Sequence, residues 1–223
     1  MQDDELIQLI TREVVKEILK LSESGNIGAE IPDQIRVGVS ARHLHVTKDA
    51  LEALFGAGYQ LTKRNDLSMR KEFAANETVT LVGANGRKLE RVRILGPLRS
   101  VCQIELSATD ARYLGLAPPV RESGNVAGSA PITLVGPKGT LRLSEGCIIA
   151  NRHIHFSPAE AKRYQVAHNQ KVDVLVEHSA KPAILLDVQV RVKDTYTVEM
   201  HLDTDDANAL GLKTGDIVKL LRK

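Results

Sequence analysis

The chain repeats itself. VGVSARHLHVTKDAL (residues 37–51) resembles CIIANRHIHFSPAEA (147–161), and QIELSATDARYLGL (103–116) resembles EMHLDTDDANALGL (199–212). Each half therefore carries R-H-x-H, a short helix signal, a set of strands, and then x-L-x-x-x-D-A-x-x-L-G-L. An internal duplication narrows the possible folds to two related units that bury their apolar faces in the same way. One extra segment, about residues 59–75, occurs only in the first half.

The stretches between the repeated motifs are short and β-rich: IRVGVS, TVTLVG, LERVRILG, ITLVG, CIIA, VDVLVE and ILLDVQVRV. Gly-containing breaks such as GANGRK and GPKGT suit hairpins between them. TKDALEALFGAG and SPAEAKRYQV read as short helices with Thr or Ser at the N-cap, and Pro158 falls in the first turn of the second. The pattern predicts a mainly β protein: two repeat-related β-barrels capped by short helices, over 35–125 and 126–223. Ahead of them, residues 3–21 place Leu6, Ile7, Ile10, Val14, Ile18 and Leu21 at helical spacing. The expectation is an N-terminal amphipathic helix over 1–22 and a polar linker over 23–34.

Composition removes several function classes. Thirty basic and 28 acidic residues are mixed along 223 positions, with no basic tract to grip a nucleic acid backbone. The absence of Trp and the scarcity of Phe and Tyr leave few stacking platforms for single strands. Cys102 and Cys147 cannot make a disulfide framework and suit a reducing compartment. No apolar run is long enough to span a membrane, and the acidic start MQDDEL is unlike a secretory signal. A soluble intracellular protein is expected, with no nucleic acid or membrane partner.

The chemistry gathers at two H-x-H pairs, His43/His45 and His153/His155. On a strand, spacing of two puts both imidazoles on one face, roughly 7 Å apart at the backbone, where they can converge on one ion. On a helix they would point apart. Seven histidines placed at random would give roughly 0.2 such pairs, so two at equivalent places in a repeat are hard to call accidental. Aligning IELSATDA with MHLDTDDA sets Glu105 opposite His201, a third ligand for each pair. Two zinc sites are expected, His43/His45/Glu105 and His153/His155/His201; strand exchange between the halves would trade partners but keep the six residues. Three protein ligands leave an open position, the mark of a catalytic zinc, and the residual positive charge favours an anionic substrate. His168 and His178 lie in turn-like contexts without repeat partners. Arg99, six residues before Glu105, would share its face if both lay in one strand, and its planar fork suits a phosphate oxyanion. Arg42 and Arg152 face opposite to the histidines that follow them, which suits structural ion pairs. On residues alone, a zinc-dependent hydrolase of a thioester or other small anion is an alternative reading.

In S-x-R-H-L-H, R-I-L-G-P-L-R-S-V-x-Q-I-E, D-A-R-x-L-G, R-x-S-G-N, R-H-I-H-x-S-P and M-H-L-D-T-D-x-A-N-A the chain resembles the propanediol-utilisation phosphotransacylases, the phosphate propanoyltransferase family. The likeness runs through essentially the whole sequence. It implies reversible transfer of a propanoyl or similar short acyl group between coenzyme A and phosphate at a di-zinc site between two barrels. It also implies that the first strand crosses into the C-terminal barrel, and it puts the zinc ligands on the same six residues. Arg99 and Ser123 match family positions that hold phosphate. Residues 3–21 resemble the encapsulation helix of members housed inside bacterial microcompartments in the cytoplasm, with shell or core proteins as partners and a homo-oligomeric state expected. One stretch departs from the family: where L-x-Q-P-G-Q-[FY]-A-A is common, this chain has LSMRKEFAA (67–75). That places Arg70 and Lys71 as candidate contacts to coenzyme A phosphates.

Overall fold

The structure, a computed structural model, describes residues 32–221; the amphipathic segment 3–21 and most of the linker lie outside them. In chain order the strands are β1 (Gln34–Ser40), β2 (His43–His45), β3 (Lys63–Asp66), β4 (Phe73–Val82), β5 (Lys88–Gly96), β6 (Gln103–Glu105) and β7 (Val120–Arg121). They continue as β8 (Ala130–Val135), β9 (Thr140–Ala150), β10 (His153–Phe156), β11 (Lys171–Val176), β12 (Ala183–Val192), β13 (Glu199–Asp203) and β14 (Ile217–Leu221). Four short helices intervene: α1 (Lys48–Phe55), α2 (Ala108–Tyr113), α3 (Pro158–Tyr164) and α4 (Thr204–Leu210).

Two rings form. In one, β4, β5, β2, β6, β9 and β8 pair in sequence, and β8 closes back on β4. In the other, β1, β13, β10, β12, β11 and β14 pair, and β14 closes back on β1. The chain is thus mainly β, as its patterning predicts. Closure removes the free edges that an open sheet of such short strands would expose. Alternation along each strand fills the two interiors. Leu44, Leu81, Ile94, Ile104 and Leu134 pack in the first, and Ile35, Val37, Ile154, Phe156, Val174 and Met200 in the second. Each such side chain stabilises the fold by roughly 1.5–3 kcal/mol on leaving water.

The rings do not coincide with consecutive halves. β1 leaves its own half to pair with β13, Val37 against Met200 and Gly38 against His201. The end of β9 pairs with β6, Cys147 against Ile104 and Ile148 against Glu105. Under the repeat alignment these are the same pairings, so each half lends one strand to the other's ring. Residues 130–150 consequently belong with the first ring, where the expected division at 126 assigns them to the second. Period-two alternation tells which face of a strand is buried but not which strand lies beside it, so the boundary was not readable from pattern alone.

The helices are nucleated by four equivalent caps. Thr47, Ser107, Ser157 and Asp203 each accept a hydrogen bond from the backbone N–H three residues on, satisfying an amide that the helix leaves without a partner. Two of these helices, α2 and α4, are too short for apolar periodicity to reveal; their signals are the caps Ser107 and Asp203 and the glycines that follow the helices, Gly115 and Gly211, both at positive φ. Arg42 binds Asp110 through two nitrogens, both at 2.7 Å, and Arg152 meets the equivalent Asp206 at 3.9 Å. Both arginines are therefore the ion-pair residues that their facing suggested.

Candidate active site

Strand pairing, not chain proximity, assembles the candidate metal ligands. β2 carries His43 and His45, and antiparallel pairing with β6 sets Glu105 directly across from His43. β10 carries His153 and His155, and pairing with β13 sets His201 across from His153. Within each triad, one ligand atom from every residue lies within 4.8 Å of the others. Both triads border one cavity of about 620 Å³, which Arg99 and Ser123 also line.

Backbone carbonyls orient the rings. His43 Nδ1 lies 2.9 Å from Ala41 O, and His153 Nδ1 lies 2.7 Å from the equivalent Asn151 O. A carbonyl only accepts, so in both rings Nδ1 carries the hydrogen and Nε2 keeps its lone pair for a ligand. His45 Nδ1 is held in the same way by Leu95 O at 3.2 Å. His155 is different: it stacks on Tyr196 at 3.8 Å, and among the described residues neither of its buried nitrogens has a hydrogen-bond partner. His201 Nε2 lies 3.2 Å from Glu199 Oε2 but off hydrogen-bonding geometry.

Buried nitrogens left unpaired cost stability, so their presence points to an absent partner. Imidazoles with one carboxylate are the donor set of zinc and similar divalent ions, and the residues fit such an ion. Burial, reinforced by the Arg99 charge, pushes His45 down to about 3, and burial beside His201 pushes His153 down to about 4. Burial drives His155 lower still. These rings are neutral near pH 7, the form that coordinates a metal. Burial alone would raise the Glu105 carboxyl, but the neighbouring His43, His45 and His153 outweigh it and hold it below the usual carboxylate range, so it too is ready to coordinate.

A second cluster faces the triads. β5 ends at Gly96, and Arg99 follows in a non-strand segment, its N–H donating to Val46 O at 3.0 Å. The shared-strand argument for its facing therefore fails, because Pro97 has no N–H for a ladder, yet the guanidinium still borders the cavity. Its Nη1 lies 3.5 Å from Ser123 Oγ and its Nη2 3.4 Å from Glu72 Oε1. Gln103 fixes this corner: Nε2 donates to Ser123 Oγ at 2.7 Å and to Glu105 Oε1 at 2.6 Å, while Oε1 accepts from Gly124 N at 2.6 Å.

The structure does not bring Arg70 and Lys71 into this cluster. Both are exposed and neither lines the cavity, although Arg70 N donates to Thr195 O at 3.1 Å. Around them, the Ser68 hydroxyl donates to Glu199, and Thr197 Oγ1 donates to Ser68 O at 3.1 Å, so the extra segment of the first half is tied to the second barrel. Sequence reasoning missed Gln103, Glu199 and Glu72. The repeat alignment sets Gln103 opposite Glu199, each two residues before a ligand, and that signal was available. Glu199 also explains a glycine: a Cβ on Gly38 would lie 2.8 Å from Glu199 Cδ. His178 is exposed, and His168 accepts from Val192 N at 3.1 Å, away from either triad.

Fold and cavity define a class, a double-barrel protein whose duplicated halves set two triads that could each hold a metal ion on a single cleft. A family model described as phosphate propanoyltransferase matches residues 36–213. The phosphate propanoyltransferase of Lachnoclostridium phytofermentans is 52% identical over 98% of this chain and 100% of its own length. That of Thermotoga maritima is 47% identical over 84% and 89%, and that of Salmonella typhimurium 43% identical over 94% and 93%. The chain belongs to the phosphate propanoyltransferase family and is an acyltransferase.

Proposed function

We propose that the chain interconverts acyl-CoA and phosphate with acyl phosphate and CoA, for propanoyl or a similar short acyl group, at two zinc ions held by the two triads. The observation that carries this reading is the convergence of unpaired buried imidazole nitrogens and the Arg99 fork on one cavity. Arg99 and Ser123 hold phosphate so that one oxygen attacks the thioester carbon; the C–O bond forms, the C–S bond breaks and CoA leaves as its thiolate. Fixing the anion beside the thioester removes the entropy cost of a free encounter. Gln103 keeps Ser123 and Glu105 in register for both groups. Zinc, when bound, supplies Lewis acidity for the carbonyl oxygen and a soft site for the thiolate.

Direct attack is preferred to a covalent acyl-enzyme. Burial pushes the Cys147 thiol up to about 12, and Ser107 is occupied as a helix cap. Arg70 and Lys71, exposed beside the tied segment, are placed in this reading to meet CoA phosphates at the surface. The likeness of residues 3–21 to an encapsulation helix supports residence in a bacterial microcompartment beside shell or core proteins, as a homo-oligomer. The barrels themselves, rather than segments 35–125 and 126–223, are taken as the functional units.

Metal analysis combined with thiol release from acyl-CoA of several chain lengths, with and without phosphate, tests the proposal. The expected result is about two zinc ions per chain, one per triad with an open position, and CoA release that requires phosphate. Metal-bound protein that releases CoA equally well without phosphate would identify a thioester hydrolase instead.

A further inference from the structure

Glu72 presents an acceptor with no donor among the described residues. One carboxylate oxygen, Oε1, lies 3.4 Å from Arg99 Nη2, whereas Oε2 is buried and has no hydrogen-bond partner among them. Glu72 lines the same cavity as Arg99 and Ser123. Two backbone bonds close its loop: Leu67 N donates to Glu72 O at 3.1 Å and Glu72 N donates to Met69 O at 3.2 Å. The tie from Ser68 to Glu199 anchors that loop to the second barrel.

A ligand for this corner must therefore bring two things, negative charge for Arg99 and a hydrogen-bond donor for Glu72. Hydrogen phosphate has both, because one of its oxygens keeps a proton. Sulfate and monofluorophosphate match it in charge and nearly in size, but carry no hydrogen. Either would set its bare oxygens against a buried carboxylate, adding repulsion to an unsatisfied acceptor. A site built to hydrogen-bond a ligand rejects an analogue that lacks the donor far more strongly than shape alone allows.

We propose that Glu72 is a specificity-determining residue that selects hydrogen phosphate over proton-free anions of equal charge by accepting its P–O–H hydrogen. The proposal rests on the reading of Arg99 and Ser123 as the phosphate site. Sulfate and monofluorophosphate are to be assayed as inhibitors against phosphate, with their binding to the same metal-loaded protein followed by calorimetry. In the unaltered chain both should bind at least about tenfold more weakly than phosphate, the expected penalty for one unmet buried acceptor. Glu72→Gln replaces acceptor and charge with an amide that also donates, so this preference should fall about tenfold or more, mainly through tighter binding of the proton-free anions. Equal affinity for all three anions in the unaltered chain overturns the proposal without any variant. So does a Glu72→Gln protein that weakens all three alike, since Glu72 would then merely hold Arg99. CoA release that ignores phosphate altogether is a separate outcome, which sinks the functional reading itself.

Discussion

His155 has two buried nitrogens and no hydrogen-bond partner for either among the described residues, so its replacement by Ala removes a candidate metal ligand rather than a structural bond. His155→Ala is expected to lower metal affinity by about tenfold or more, since even indirect changes around a metal ligand reach that size; elemental analysis after dialysis checks it. Arg99 touches no triad residue by hydrogen bond and should behave oppositely. Arg99→Ala is expected to raise the phosphate KM by roughly 10–100-fold, the worth of a charge-assisted bond, with bound metal unchanged; loss of metal would contradict its role. The depressed imidazoles of His45 and His153 carry a pH consequence for the metal-free chain. Unfolded, they take up protons near their ordinary value of about 6.5; folded, they refuse them until about 3 and about 4. Between those limits the unfolded state binds more protons, so stability is unaffected above pH 7 and falls as pH drops through this window. The melting temperature of chelator-treated protein should accordingly decline from pH 7 toward pH 4, and a flat profile would argue against buried neutral rings.

Equivalent elements in the two halves offer an internal comparison. Asp110 in α2 is buried and held by two bonds from Arg42, whereas Asp206 in α4 is partly exposed and meets Arg152 at 3.9 Å. Arg42→Ala should therefore cost about 1.5–3 kcal/mol by leaving a buried carboxylate unpaired. Arg152→Ala should stay within about 1 kcal/mol, as exposed pairs do. Denaturant midpoints of the two variants decide it. Much at this scale was legible. The H-x-H pairs with Glu105 and His201, the hairpins at GANGRK and GPKGT, and helices α1 and α3 follow from spacing, turn residues and caps. Arg99 was legible as a residue but not as an element: six-residue spacing presumes a continuous strand, and Pro97 ends it. Glu72 was not read at all, because a lone carboxylate in a polar stretch looks like any solvated surface charge, whereas Glu199 was passed over although the repeat sets it opposite Gln103.

At the scale of the whole molecule the strand exchange governs stability. β1 sits between β13 and β14, so residues 151–223 by themselves would leave the second barrel open along two edges. That fragment should be largely unfolded by circular dichroism, and should gain strand signal when residues 33–150, which contain β1, are supplied in trans. Folding of 151–223 alone to a closed barrel would refute the dependence. The same exchange carries β1 alongside His201 and the end of β9 alongside Glu105, which commits each triad to both halves of the chain. The sequence alone determined that there are two related β units, and that six side chains, with Glu105 and His201 completing the H-x-H pairs, form two groups that could hold a metal ion. Duplication and period-two spacing are local properties, carried by the order of residues. Tertiary structure decided which strands close which ring, that both triads open on one cleft, and that Glu72 reaches Arg99. Those outcomes depend on which backbone edges meet after closure, and side-chain alternation along one strand holds no information about its neighbour.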